Sequence, residues 1–244
     1  MSEVLKKTNI KENPLVSLVA NIFFPVIILK NGENWLQNYN QYFYLEIQAF
    51  TFLIALLFPF MYFFFDLYNR KNVNFISILG FLNVLLTGGI GIFGEKYGLT
   101  RTSFILKEGL MPLVIGTFLI FLSKFKKRTF DKMILNEALF DVEKIKENQN
   151  SENLKKIESL TTRAGYYFVT GFFISSIIQF ILASIIVTAN PGDSIFNEQV
   201  STMTWVSYIA VLGPTVIIVG KGYLDLINGI EKLMGLKKED FLKA

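Results

Sequence analysis

Lys107 and Glu108 stand side by side inside the apolar run 104–122, which makes that run the odd one in the chain. An ionised group at the centre of a bilayer costs at least ~2.5 kcal/mol, so charges kept in such a run mark functional candidates by default. Neighbours on a helix point about 100° apart, so these two cannot pair with each other, and each needs its own partner or water. Gln48 begins another apolar run at about the same depth and is placed to meet one of them. Asn83, Asn21 and Gln179 are uncharged amide residues lying well inside apolar runs. Two readings stay open. Lys107, Glu108, Gln48 and Asn83 form an intramembrane polar site for a small solute or ion. Alternatively, Lys107 snorkels to the headgroups, Glu108 sits in the interface, and the amides hydrogen-bond across helices at roughly 0.6 to 2 kcal/mol each.

A second cluster, Lys124, Lys126, Lys127 and Arg128, follows directly after the same run. Four cations at a membrane edge attract anionic lipid headgroups at ~1 kcal/mol per charge, and they also set topology. Asp66 and Arg70 have the i,i+4 spacing of a local ion pair. Other chemistry is excluded by composition. The chain has no cysteine and no histidine, which removes disulfides, thiolate nucleophiles and the commonest metal ligand. No H-E-x-x-H, G-x-S-x-G or phosphate-binding glycine loop occurs. The sequence therefore predicts no catalytic residue, no cofactor and no metal. Nucleic acid is not implied, because the basic residues follow the topology described next.

The elements that must carry these residues are membrane helices. The 244 residues are 52% hydrophobic and 15% aromatic with 18% charged, and 25 are phenylalanine. That is too little charge, and too much phenylalanine, for one soluble core. Apolar runs fall at 14–29, 47–65, 75–93, 104–122, 166–187 and 203–220. About 20 residues cross the ~30 Å of hydrocarbon, so the first run is short and reads as an uncleaved helix extended by a snorkelling Lys30. With both termini in the cytoplasm, twenty of the 24 lysines and arginines lie on that side. Aromatic belts agree: Trp35, Tyr39, Tyr42, Tyr44, Tyr97, Trp205 and Tyr208 fall at the outer edge, and Tyr62, Tyr68, Tyr166, Tyr167 and Tyr223 at the inner one.

Between the fourth and fifth runs, Phe130, Met133 and Ile134 share one helical face, and Leu154, Ile157 and Leu160 another. Asn148, Gln149 and Asn150 break the pattern, and Ser151 suits the N-cap of the helix that follows. The expected architecture is all-α and polytopic, with about six transmembrane helices. It divides into 1–122 (tail and helices one to four), 123–165 (a cytoplasmic amphipathic helical hairpin) and 166–244 (helices five and six with a tail). Pro25, Pro59, Pro112 and Pro214 interrupt the runs, and glycines at 88, 89 and 91 loosen the third. Broken helices of this kind serve transporters at their sites, and small residues equally permit close packing.

Several of these segments carry a resemblance. DLYNRKNVNF at 66–75 and LLTGGIG at 85–91 resemble an uncharacterised family of bacterial multi-pass inner-membrane proteins, itself distantly similar to the intracellular septation protein A group. The similarity continues through FILK at 104–107, Pro112, Lys127 and Arg128 leading to MIL at 133–135, the run from Tyr166, FNE at 196–198, and Met203 with Thr204. It covers residues 14 to 230. Septation-type relatives are shorter and lack the charged segment 131–158. The resemblance implies a multi-pass protein of the bacterial inner (plasma) membrane, non-enzymatic, acting in cell-envelope maintenance or septation through membrane partners or a second copy. The residues themselves leave a small-solute or ion transporter as the alternative.

Overall fold

The structure is a computed structural model that describes residues 19–38, 46–70, 75–136, 139–147 and 151–243, the side chains of 66, 69, 70, 75–81, 146 and 151 excepted. The start of the first expected span, the belt tyrosines 39, 42 and 44, the Asp66–Arg70 pair and the 148–150 break lie outside these residues, as does the capping side chain of Ser151.

Every named element is helical. A five-residue π-helical turn, Val19–Phe23, leads into α1 (Phe24–Leu36). There follow α2 (Ile47–Arg70), α3 (Phe75–Phe93) and α4 (Arg101–Phe125). Two short helices, α5 (Lys127–Ile134) and α6 (Val142–Glu147), precede the long α7 (Ser151–Ile186) and α8 (Phe196–Met234), and α9 (Lys238–Phe241) closes the chain. Among the described residues, four helices are long and apolar enough to cross a membrane: Ile47–Phe65, Arg101–Phe125, Glu152–Ile186 and Phe196–Met234. Within α3, Leu82–Phe93 is apolar over its described side chains.

The long helices extend past the apolar runs that announced them. Helix α7 runs for 36 residues, or about 54 Å, well beyond the ~30 Å of a bilayer's hydrocarbon. Helix α8, at 39 residues, extends beyond the apolar run 203–220 at both ends. Hydropathy finds where a helix is apolar, not where its hydrogen bonds stop. Helix α8 ends at Gly235, whose φ of 65° is the left-handed conformation that closes a helix, with its N–H donating back to the Glu231 carbonyl. Pro25 lies in the first turn of α1, directly after the π-helical turn.

The chain folds as two compact units, Met1–Lys107 with Ile181–Val206, and Glu108–Phe180 with Ser207–Ala244. In the first, α1 packs on α2 and α2 on α3. Its core centres on Phe196, stacked against Phe52 at 6.4 Å and edge-on to Phe104 at 5.6 Å, with Val187 and Met203 buried beside them. Such ring pairs contribute about 0.5–1.5 kcal/mol beyond their buried area. In the second unit, the apolar face expected on α5 is real: Phe130 and Ile134 are buried, and the rim of the Phe130 ring lies against Gly165 of α7. On α7 Ile157 is buried, whereas Leu154 is exposed. Between α4 and α7 the described residues form the two short helices α5 and α6. The approach to α6 is held by the far end of the chain, where Phe140 and Leu242 pair as an isolated antiparallel bridge. The Asp141 N–H donates to the Phe241 carbonyl and the Lys243 N–H to Leu139.

Candidate functional site

Helix α3 brings Thr87 to the head of its glycine segment because Thr87 sits one turn beyond Asn83 and donates its own hydroxyl to the Asn83 carbonyl at 2.8 Å. Its oxygen then accepts a hydrogen bond from the Lys107 ammonium of α4. Lys107 is half-buried, and its ammonium also lies 5.7 Å from the centroid of the Phe104 ring, one turn earlier on the same helix. A ring face at that distance stabilises a cation by roughly 0.5–1 kcal/mol or more as water is withdrawn. Lys107, Thr87 and the Asn83 backbone thus form a relay between two helices of the first unit. Sequence reasoning found Lys107 and Asn83 but missed Thr87, read there only as the head of a loose glycine run. The signal was available: a hydroxyl one turn from Asn83 in a glycine-rich helix able to approach its neighbour.

Two of the glycines near this relay, Gly88 and Gly91, are packed against neighbouring side chains. A Cβ at Gly91 would lie 2.4 Å from the Phe52 ring, and one at Gly88 would lie 2.0 Å from a methyl of Leu56. Both contacts come from α2, so the small residues serve close approach of α3 to α2. The backbone carbonyl of Gln48 accepts from the Asn197 amide at 3.0 Å. The same amide donates to Glu33 at 2.9 Å, and Ser201 donates to the Val26 carbonyl at 2.9 Å. Asn197 is buried and was seen in the sequence only as part of a family-like segment. Burial raises the pKa of Glu33 above the ordinary carboxyl value, and the Asn197 bond partly offsets this. The loop before α8 is closed by Gln199, which accepts from the N–H groups of Thr188 and Ala189, both at 2.9 Å. The turn there uses Gly192 at φ 97°, which L side chains rarely adopt.

Glu108 begins the second unit and is half-buried. Beside it, the Gly109 carbonyl accepts from the Ser176 hydroxyl at 2.6 Å, with Phe180 against the glycine. Ser175 and Thr215 share a hydrogen bond at 3.0 Å, and Ser207 donates to Gln179 at 3.0 Å. Ser175, Ser176 and Gln179 therefore make one polar face of α7, bonded to α4 and α8. Of this set only Gln179 stood out in the sequence, since serines in an apolar run carry little hydropathy signal. Asn21 lies half-buried in the π-helical turn.

The basic cluster is exposed. Lys124 lies in the last turn of α4, Lys126 precedes α5, and Lys127 and Arg128 open α5. Lys127 faces Glu158 at 3.8 Å, a long and exposed pair of little energetic weight. Arg128, Asp131, Lys132 and Glu158 rim a cleft of ≈ 480 Å³ whose walls include Val142, Ile145 and Ile157. One carboxylate oxygen of Asp131 is buried there without a hydrogen-bond partner. Burial raises its pKa, Lys127 opposes the shift and Glu158 adds to it. Among the described residues, no group of three or more histidine, cysteine or acidic side chains could hold a metal ion.

These features define an all-α protein of membrane type, in which polar groups within apolar helices are joined to one another. Compared with known proteins, the chain matches no family model, no curated protein and no solved structure.

Proposed function

We propose that this is a non-enzymatic, six-span protein of the bacterial inner membrane that acts in envelope maintenance or septation through partners in the membrane. In this reading the spans are the six apolar runs, and both termini and a helical hairpin over 123–165 face the cytoplasm. Support comes from the asymmetry of the lysines and arginines and from the resemblance of 66–75, 85–91 and 196–198 to the septation-like family.

The observation that carries the reading is the Lys107–Thr87 bond. A cation kept for a moving solute must change partners during the cycle, whereas this one links α4 to the helix whose glycines are packed against α2. The polar groups of the spans then serve cohesion, and the work passes to surfaces that meet other proteins. Crosslinking in intact cells followed by purification tests this. The expected result is recovery of envelope or division proteins and an altered envelope on deletion. A normal envelope and no such partner, or solute flux in proteoliposomes that disappears in Lys107→Ala, would overturn it.

A further inference from the structure

Lys155, Ser159, Thr162, Arg163 and Tyr166 recur at three- and four-residue intervals along α7, so they share one face of that helix. With Lys127 from α5 they line a groove of ≈ 400 Å³, open to solvent and with no carboxylate in its lining. Three cations in so small a volume make a strongly positive concavity, and the hydroxyls of Ser159 and Tyr166 add neutral hydrogen-bond donors. We propose that this groove binds the phosphate of an anionic phospholipid headgroup.

Position supports a lipid source. Tyr166 opens a run without a charged residue that continues to the end of α7, the expected fifth span. Arg163 stands about 4.5 Å and Ser159 about 10 Å further out along the helix. The headgroup zone outside the hydrocarbon is roughly 5–8 Å deep, so a lipid lying along the apolar run carries its phosphate to the level of Arg163. Two of the cations do have carboxylate neighbours, Lys127 with Glu158 and Arg163 with Asp225, each at 3.8 Å and largely exposed. Exposed pairs this long hold little energy, and a phosphate offers Arg163 a bidentate partner instead. The Thr162 hydroxyl donates to the Glu158 carbonyl and leaves its lone pair, not its proton, to the groove.

The inference rests on the membrane reading above, in which this end of α7 faces the cytoplasmic leaflet. Its test uses the full-length protein in nanodiscs of phosphatidylcholine with and without phosphatidylglycerol, with retained lipid counted by native mass spectrometry. The groove variant K127Q/K155Q/R163Q should lose phosphatidylglycerol affinity by about tenfold to hundredfold, and K144Q/K156Q, at exposed cations outside the groove lining, should lose far less. Lys155→Glu alone, at an exposed position, should lose about tenfold and serves if the triple variant does not fold. Unchanged retention in Lys155→Glu overturns the proposal, as does displacement of the lipid by inorganic phosphate at equal concentration. The chain has no native cysteine, so Ser159→Cys can be labelled with an impermeant thiol reagent in vesicles of known orientation. Labelling from the outer face overturns the topology while the lipid counts still judge the groove. Labelling from the inner face with unchanged lipid counts overturns the groove alone.

Discussion

The Lys107 ammonium donates to Thr87 and lies over the Phe104 ring, contacts that replace part of the water it gives up in an apolar helix. Removing either partner should cost the hydrogen bond that joins α4 to α3. Lys107→Met and Thr87→Val are each expected to lower thermal stability in detergent. Their double-mutant coupling should be roughly 0.6 to 2 kcal/mol, read from the melting of wild type, both single variants and the pair. A coupling of zero would remove the relay from the account. Glu33 behaves differently because its pKa is raised, with burial the leading cause. The folded state then holds a proton that the unfolded state has already released, so stability is full below the unfolded carboxyl pKa and falls as pH rises through the folded value. Glu33→Gln keeps an oxygen for Asn197 and has no proton to lose. It should melt higher than wild type at neutral pH and level with it in acid; melting curves at both pH values would expose a failure. Asp131 carries the same sign, so Asp131→Asn should likewise gain at neutral pH.

At the scale of the helix, glycine placement decides how closely neighbours approach. Gly91 faces the ring of Phe52, which is itself held in the core against Phe196. An added methyl must push that ring, so Gly91→Ala should destabilise the first unit by about 1–3 kcal/mol. Gly89, with open space where its Cβ would be, should accept alanine with a small gain in helix propensity. Equal effects at the two positions in a denaturation series would contradict this packing. These helices also indicate what a sequence discloses. Apolar runs of 17 or more residues stand out by composition, and so α2, α4, α7 and α8 were legible before any coordinate. Their ends were not, because α7 and α8 continue through charged residues on exposed faces, where hydropathy falls but the helical hydrogen bonds persist. Polar residues that join helices divided in the same way: Lys107 and Gln179 are conspicuous in hydrocarbon, whereas Thr87, Ser175, Ser176 and Ser201 are common in membrane helices and reveal themselves only by what they touch.

For the molecule as a whole, the expected topology can be read chemically because no native thiol competes. Single cysteines at Asp193 and at Lys238, both exposed, should react with an impermeant reagent from opposite sides of the membrane, Asp193 from outside. Reaction from the same side would overturn the six-span arrangement. The division into two units has a bearing on manufacture. Each unit is completed by chain made late: the first needs Ile181–Val206, which supplies Asn197 for Glu33 and Ser201 for Val26, and the second needs Ser207–Ala244, which supplies Leu242 for the bridge to Phe140. A ribosome that has just finished Phe180 has thus delivered two unfinished halves, with the seats for Asn197 and Phe196 still empty of their occupants. Quality control should see every shortened product as unfolded, however many of its helices have entered the bilayer. In a pulse-chase, chains stopped after Phe180 should be cleared by membrane proteases within a fraction of the full-length lifetime.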